Sequence, residues 1–98
     1  MRFLLIVSNP RILRHVKGLA SAANDRGYDV KVFFNEESVK MLADPGSVEG
    51  LDADMLACVT ACQQLGVEEE DLVEGARVTS LGEVVTLVEE CDRTLFLG

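Results

Sequence analysis

Basic residues are scarce in this chain. Nine lysines and arginines stand against seventeen aspartates and glutamates, for a net charge of −8. That balance argues against nucleic acid as a partner, because binding to phosphate begins with a basic footprint. It argues equally against electrostatic attraction to an anionic membrane surface. Long apolar runs are also missing, and none reaches the ~18–20 residues of a membrane span. The opening stretch Phe3–Val7 is too short for a signal-peptide core and has no basic region ahead of it. Paired cysteines are missing too: Cys58, Cys62 and Cys91 are odd in number and match no disulfide framework by spacing. Free thiols in a reducing cytoplasm are therefore expected. No C-x-x-C pair accompanies the lone His15, so no zinc site is expected. The glycine patterns that cradle nucleotides, G-x-x-x-x-G-K-[ST] and G-x-G-x-x-G, do not occur. Nor does an internal repeat, a low-complexity tract or a linker.

What remains is an ordinary globular composition, 48% hydrophobic and 27% charged, over 98 residues. That is one domain, 1–98, of a size that buries only ~60–65% of the surface its unfolded chain exposes. The pattern alternates strand and helix. Arg2–Ser8 reads as a first strand whose continuous apolar core suits burial on both faces of a parallel sheet. Asn9-Pro10 reads as a cap and first helical position. The helix that follows turns Ile12, Leu13, Val16, Leu19, Ala20 and Ala23 inward and stops at Gly27. Asp29–Phe34 is a second strand, Asn35 caps a short helix to Leu42, and Asp44-Pro45-Gly46 closes it. Ser47–Asp52 reads as loop.

Met55–Cys58 is a third strand. Thr60 and Gln63 form a capping-box pair for a helix closed by Gly66. The acidic stretch Val67–Gly75 holds about one helical turn, and Ala76–Thr79 is a fourth strand. A second capping box, Ser80-x-x-Glu83, opens a helix with Leu81, Val84, Val85 and Val88 inward. Arg93–Leu97 is the last strand. Five short strands with helix-bearing connections imply a parallel sheet with right-handed crossovers. The expected fold is α/β, three-layered and flavodoxin-like.

In such a sheet ligands bind beyond the carboxyl ends of the strands, where the strand order reverses. With a strand order of 2-1-3-4-5 that point lies between strands one and three. Ser8 and Asn9 then face Cys58 and Thr60 across a cleft. Cys58 is either a reactive thiol, favoured as thiolate by the nearby helix start, or a small core residue. Cys62 either resolves Cys58 or packs inward, and packing is the expectation. Cys91, at the amino end of the last strand, is expected to be structural and remote. His15 falls on a solvated helix face between Arg14 and Lys17, and Glu68–Asp71 reads as a solvated turn. The residues after Cys58 include no arginine to hold a phosphate, which argues against a cysteine phosphatase or a rhodanese-type loop. Strand one ends in Ser8-Asn9, not in the acidic pair that would hold magnesium.

The stretch Leu56-Ala57-Cys58-Val59-Thr60-Ala61 through Leu65-Gly66-Val67 resembles the DsrE/DsrF/TusD sulfur-relay family. The tail, Ser80-Leu81-Gly82 and then Glu90-Cys91-Asp92-Arg93 before an apolar strand, is similar as well. So is the strand–Pro–helix–Gly27–strand–Phe33-Phe34 opening. The chain looks like a short, divergent member, with Gln63-Gln64-Leu65 where relay proteins often carry basic residues. The resemblance implies that Cys58 accepts sulfane sulfur as a persulfide and passes it from a donor protein to an acceptor protein. It also implies a homo- or hetero-oligomer, a trimer or hexamer. The expected function is a sulfur carrier, or a sulfurtransferase without conventional turnover, that uses no metal or organic cofactor. The alternatives are a non-catalytic oligomeric binding module or structural subunit, and a redox switch using Cys58 and Cys62.

Overall fold

The structure, a computed structural model, describes all of residues 1–98. Its strands are β1 (Arg2–Val7), β2 (Asp29–Phe34), β3 (Asp54–Cys58), β4 (Ala76–Thr79) and β5 (Arg93–Phe96). The helices are α1 (Leu13–Asp25), α2 (Pro45–Val48), α3 (Val59–Leu65) and α4 (Leu81–Glu90). Three 3-10 turns, Pro10–Ile12, Glu36–Ala43 and Glu69–Asp71, complete the chain. The strands form one parallel sheet in the order β4-β3-β2-β1-β5. The α/β, five-stranded parallel architecture is the one the sequence pattern implies. The strand order is not the expected 2-1-3-4-5, because β2 lies between β1 and β3.

Right-handed crossovers decide which face each helix covers. The chain steps β1, β2, β3, β4 in one direction, so α1, α2 and α3 all lie on one face. It then returns over the sheet to place β5 beside β1, and α4 lies alone on the other face. Two apolar clusters follow from this. The larger joins Leu5, Val7, Val32, Phe34 and Ala57 of the sheet to Leu13, Val16 and Ala20 of α1, Val39 and Leu42 of the 3-10 turn, and Ala61 and Cys62 of α3. The smaller has six buried residues, Leu4, Ile6, Phe33 and Leu56 under Val84 and Leu87 of α4. The continuous apolar runs Leu4–Val7 and Val32–Phe34 are thereby explained, since alternate residues feed the two clusters.

Local chemistry sets the element ends. Asn9 accepts a hydrogen bond from the Arg11 amide at 2.9 Å and Pro10 opens the first 3-10 turn. Gly27, at φ +76, takes the left-handed conformation that ends α1. Ser38 is fully buried, its hydroxyl 2.7 Å from the Val7 carbonyl and 2.6 Å from that of Asn35. It ties the turn after β2 to the end of β1.

Several expectations need correction. β1 ends at Val7 because the Ser8 amide turns to the Gly98 carbonyl, at 2.7 Å. Ser47–Asp52 is not wholly loop: Asp44 caps the short helix α2, accepting from the Gly46 amide. The Thr60–Gln63 capping box does not form, since α3 starts at Val59 with Cys58 as its cap residue. On α1, Leu19 is exposed rather than inward. The inward face of α4 is Val84 and Leu87, while Leu81, Val85 and Val88 are exposed. The apolar arc of α4 is wide, and with no second helix on that face only one edge of it is covered.

The thin layer under α4 is the expected weak point of the fold. Truncating Leu4, which is completely buried there, as Leu4→Ala should cost about 2–5 kcal/mol, a large part of the ~5–15 kcal/mol that holds a typical domain. Urea unfolding monitored by circular dichroism reads this as a lowered midpoint at constant slope. A loss well under the lower figure would mean that α4 is not packed on the sheet as described.

Candidate functional site

β3 delivers Cys58 to the carboxyl edge of the sheet. Met55, Leu56 and Ala57 are buried and hold the strand in place. Cys58 itself is half-buried and extended, with φ −64 and ψ 122. It touches both apolar clusters. It is the cap residue of α3, and no side chain caps the first turn of that helix. Gly66, at φ +70, closes α3, and the Val67 amide returns to the Cys62 carbonyl at 2.9 Å. A residue with a Cβ at this φ would be strained. The seven-residue helix that follows Cys58 is thus closed at its carboxyl end by Gly66.

The neighbours of Cys58 come from β2 and β4. Its register partner on β4 is Thr79, and Ala57 pairs with Phe34, which places Asn35 at the level of Cys58 on the other side. Asn35 Oδ1 accepts from the Glu36 amide at 2.9 Å, and Glu36 stands at φ +50, the single non-glycine residue in the left-handed region. Thr79 is a buried polar residue, 3% exposed. Its hydroxyl donates to Glu83 Oε1 at 2.6 Å, and the Arg77 guanidinium donates to the same oxygen at 2.6 Å. The Thr79 hydrogen bond, with Arg77 beside it, holds the Glu83 carboxyl below the usual carboxylate range. Strand alternation sets Arg77 and Thr79 on the same sheet face as Leu56, the face that α4 covers.

The three thiols are set apart by burial and position. Cys62 is buried in the larger cluster, as packing inward requires. Burial pushes its thiol up, and the charges of Cys58 and Glu69 add to that. Cys91 follows α4 at the amino edge of the sheet, where burial pushes it up against the opposing pull of Arg2 and Lys31. Roughly 20 Å of strand length separates its level from that of Cys58, so these two do not meet.

Ser8 and Asn9 lie at the end of β1, with β2 between them and β3. The strand order reverses between β1 and β5, not between β1 and β3. The crevice there is occupied by the chain itself: the Leu97 amide bonds to the Ile6 carbonyl, and the Ser8 and Asn9 amides both bond to Gly98 O at 2.7 Å. The Asn9 side chain is committed to the Arg11 amide. Thr60 is exposed in the first turn of α3, two residues after Cys58 in the chain. The structure therefore groups Cys58 with Thr60, Thr79 and Asn35, and sets Ser8 and Asn9 two strands away. His15 is exposed on α1, as its neighbours suggest. Within the acidic turn, the Glu68 amide donates to Asp71 and the Val78 amide donates to Glu69.

The sequence pattern assigned Arg77 and Thr79 no role beyond their strand, and Glu83 none beyond a helix cap. The Ser80-x-x-Glu83 spacing did identify a cap, since the Glu83 amide donates to Ser80 Oγ at 3.2 Å. The Glu83 carboxylate, however, reaches back to β4 and not to the Ser80 amide. The available signal was the alternation of Arg77 and Thr79, which puts both on one face of β4 just ahead of that helix.

Because the Glu83 carboxyl is depressed in the folded state, its contribution to stability is present above the unfolded value of about 4.3. It is lost as pH falls through the lower, folded value. Glu83→Gln should therefore melt below the wild type at pH 7, and the gap should close as pH falls below ~4. A gap in Tm that stays constant over that range would show that the ionised carboxylate is not what holds Thr79 and Arg77.

Comparison with known proteins bears on the whole chain. The sequence pattern of the DsrE/DsrF-like family matches residues 1–97. No curated protein matches. Among solved structures, the YchN protein from E. coli superimposes with a TM-score of 0.78 at 13% identity, over 99% of each chain. A conserved protein of unknown function from Bacteroides thetaiotaomicron, BT1422, gives 0.75 at 15% identity, over 98% of this chain and 94% of its own. At such identities the two structures speak for the fold alone.

Proposed function

Since the chain belongs to the DsrE/DsrF-like family, we propose that it is a small sulfur carrier that relays sulfane sulfur through Cys58. The observation that carries this reading is the placing of Cys58. It is a half-buried thiol at the carboxyl edge of the sheet, at a strand-to-helix switch, while Cys62 is buried and Cys91 lies at the opposite edge. Burial keeps those two thiols in their protonated, less nucleophilic form.

The transfer is a thiol exchange. The Cys58 thiolate attacks the outer sulfur of a donor persulfide, R–S–SH. The donor's S–S bond breaks, R–S⁻ leaves, and Cys58–S–SH is formed. An acceptor thiolate then attacks the outer sulfur and regenerates the Cys58 thiolate. Each step breaks one S–S bond and makes another, so no external oxidant or reductant is consumed. The donor and acceptor are proteins bearing a persulfide and a thiol. The compartment that suits three free thiols is a reducing one, the cytoplasm. No helix is long and apolar enough to cross a membrane.

Incubation with a persulfide donor should add the mass of one sulfur atom to the wild type and not to Cys58→Ser. Cys91→Ser and Cys62→Ser should load normally. Cys62→Ser should also unfold more easily, by about 1–3 kcal/mol, because it buries a hydroxyl without a partner. Equal loading of wild type and Cys58→Ser, or no loading of either, removes the carrier reading and leaves a non-catalytic binding or structural subunit. Loss of loading in a folded Cys62→Ser protein points to a two-thiol switch.

Assembly into a trimer or hexamer belongs to the same reading. Its support is the uncovered apolar surface on the α4 face. Leu81 is 70% exposed and Phe96 77%, and Val85 and Val88 continue the strip along α4. Apolar residues gathered in this way mark interaction surfaces. Light scattering at micromolar concentration should give a mass several times 10.7 kDa, and Val85→Glu should lower it. A monomer mass for the wild type would count against assembly.

A further inference from the structure

An apolar cavity lies at the other end of the molecule from Cys58. With a volume of about 260 Å³, it opens between the last two turns of α1 and the amino half of the sheet. Its walls include Phe3, Leu19, Ala23, Tyr28 and Leu95, and Arg26 is the one charged residue that lines it. The cause is the topology. α1 covers β1 and β2, but nothing covers β5 on that face, so Leu95 is exposed and the space between it and the small Ala23 stays open. The Phe3 and Tyr28 rings, 5.4 Å apart, form one rim.

Arg26 gives the cavity its only charge. In a chain with seventeen acids and nine bases, the two ion pairs are Lys31–Asp54 and Arg77–Glu83. Arg26 belongs to neither. An apolar cavity lined by one arginine that lies outside both ion pairs complements a molecule with an apolar body and a carboxylate head. The volume is just below the ~300–1,000 Å³ of pockets for drug-sized ligands, which suits a body of roughly six to ten carbons.

We propose that the cavity between α1 and β5 binds a small apolar monocarboxylic acid, with Arg26 receiving the carboxylate and the tail lying against Leu95 and the Phe3–Tyr28 pair. This site is independent of sulfur carriage, because Cys58 sits at the opposite edge of the sheet.

Octanoate is a suitable probe, and the chain supplies its own reporter: Tyr28 is the only tyrosine and there is no tryptophan. Octanoate should change Tyr28 fluorescence saturably, with a Kd between ~10 µM and ~1 mM. Octylammonium, with the same tail and the opposite charge, should bind at least several-fold more weakly. Arg26→Gln should weaken octanoate about two- to fivefold, the range of a solvent-accessible ion pair, and leave 1-octanol unchanged. Leu19→Glu, at an exposed wall position where folding is not at risk, should abolish octanoate binding, and both variants should still load sulfur at Cys58 like the wild type. The proposal is overturned if no saturable change appears at several millimolar octanoate. It is equally overturned if octylammonium binds as well as octanoate, or if Arg26→Gln has no effect on octanoate. A Tyr28 signal that still changes on dilution without ligand in the Val85→Glu protein would assign the cavity to a second copy of the chain, and overturns it too.

Discussion

The handedness of one connection governs this molecule. The chain leaves β4 at one edge of the sheet and must reach β5 at the other, beside β1. A right-handed crossover over that distance can run only across the face that α1, α2 and α3 leave free. It puts α4 there alone. One helix of ten residues covers part of a five-stranded face, so Leu4, Ile6, Phe33 and Leu56 are sealed by Val84 and Leu87 while the flank of α4 and Phe96 remain open. The same return places β5 beyond the reach of α1, which leaves the cavity beside Leu95. Both the apolar strip and the cavity are consequences of this single topological step.

At the carboxyl edge a different constraint operates. The sheet brings β2, β3 and β4 to nearly one level, and each ends in a feature that directs the chain away: the left-handed Glu36 after Asn35, the switch into α3 at Cys58, and Ser80 capping α4 after Thr79. Cys58 sits in the middle of these. Its neighbour Thr79 is fixed by Glu83, which Arg77 also grips, so α4 and β4 are clamped together beside the thiol. The three cysteines, alike in sequence, become chemically unlike. Cys62 is buried in the core, Cys91 is partly buried at the far edge, and Cys58 is left half-exposed at the carboxyl edge of the sheet.

Much of this was legible in local sequence. All five strands and the turn residues Asn9, Asn35, Gly27 and Gly66 could be read, because strand runs, caps and left-handed glycines are short-range effects that a few neighbours decide. The inward packing of Cys62 was the expected one of two readings, because C-x-x-x-C is a weak redox spacing. The strand order did not follow, because parallel strands of similar apolar composition carry no local mark of who pairs with whom. With the order 2-1-3-4-5, Ser8 and Asn9 faced Cys58. With β2 placed between β1 and β3, they face the chain's own tail at Gly98. The inward face of α4 was misread for a related reason. Leu81, Val84, Val85, Leu87 and Val88 are all apolar, and periodicity alone does not say which edge of so wide an arc meets a sheet.

The sequence by itself therefore determined the fold class, the ends of the elements and the position of Cys58 at the close of a strand, since each depends on hydrophobic pattern and on backbone preferences within a few residues. Only the tertiary structure decided which residues stand beside that thiol, which side of α4 is exposed, and that Arg26 borders an open apolar cavity. Those depend on strand order and on the hand of a long crossover, which are settled by packing between segments far apart in the chain.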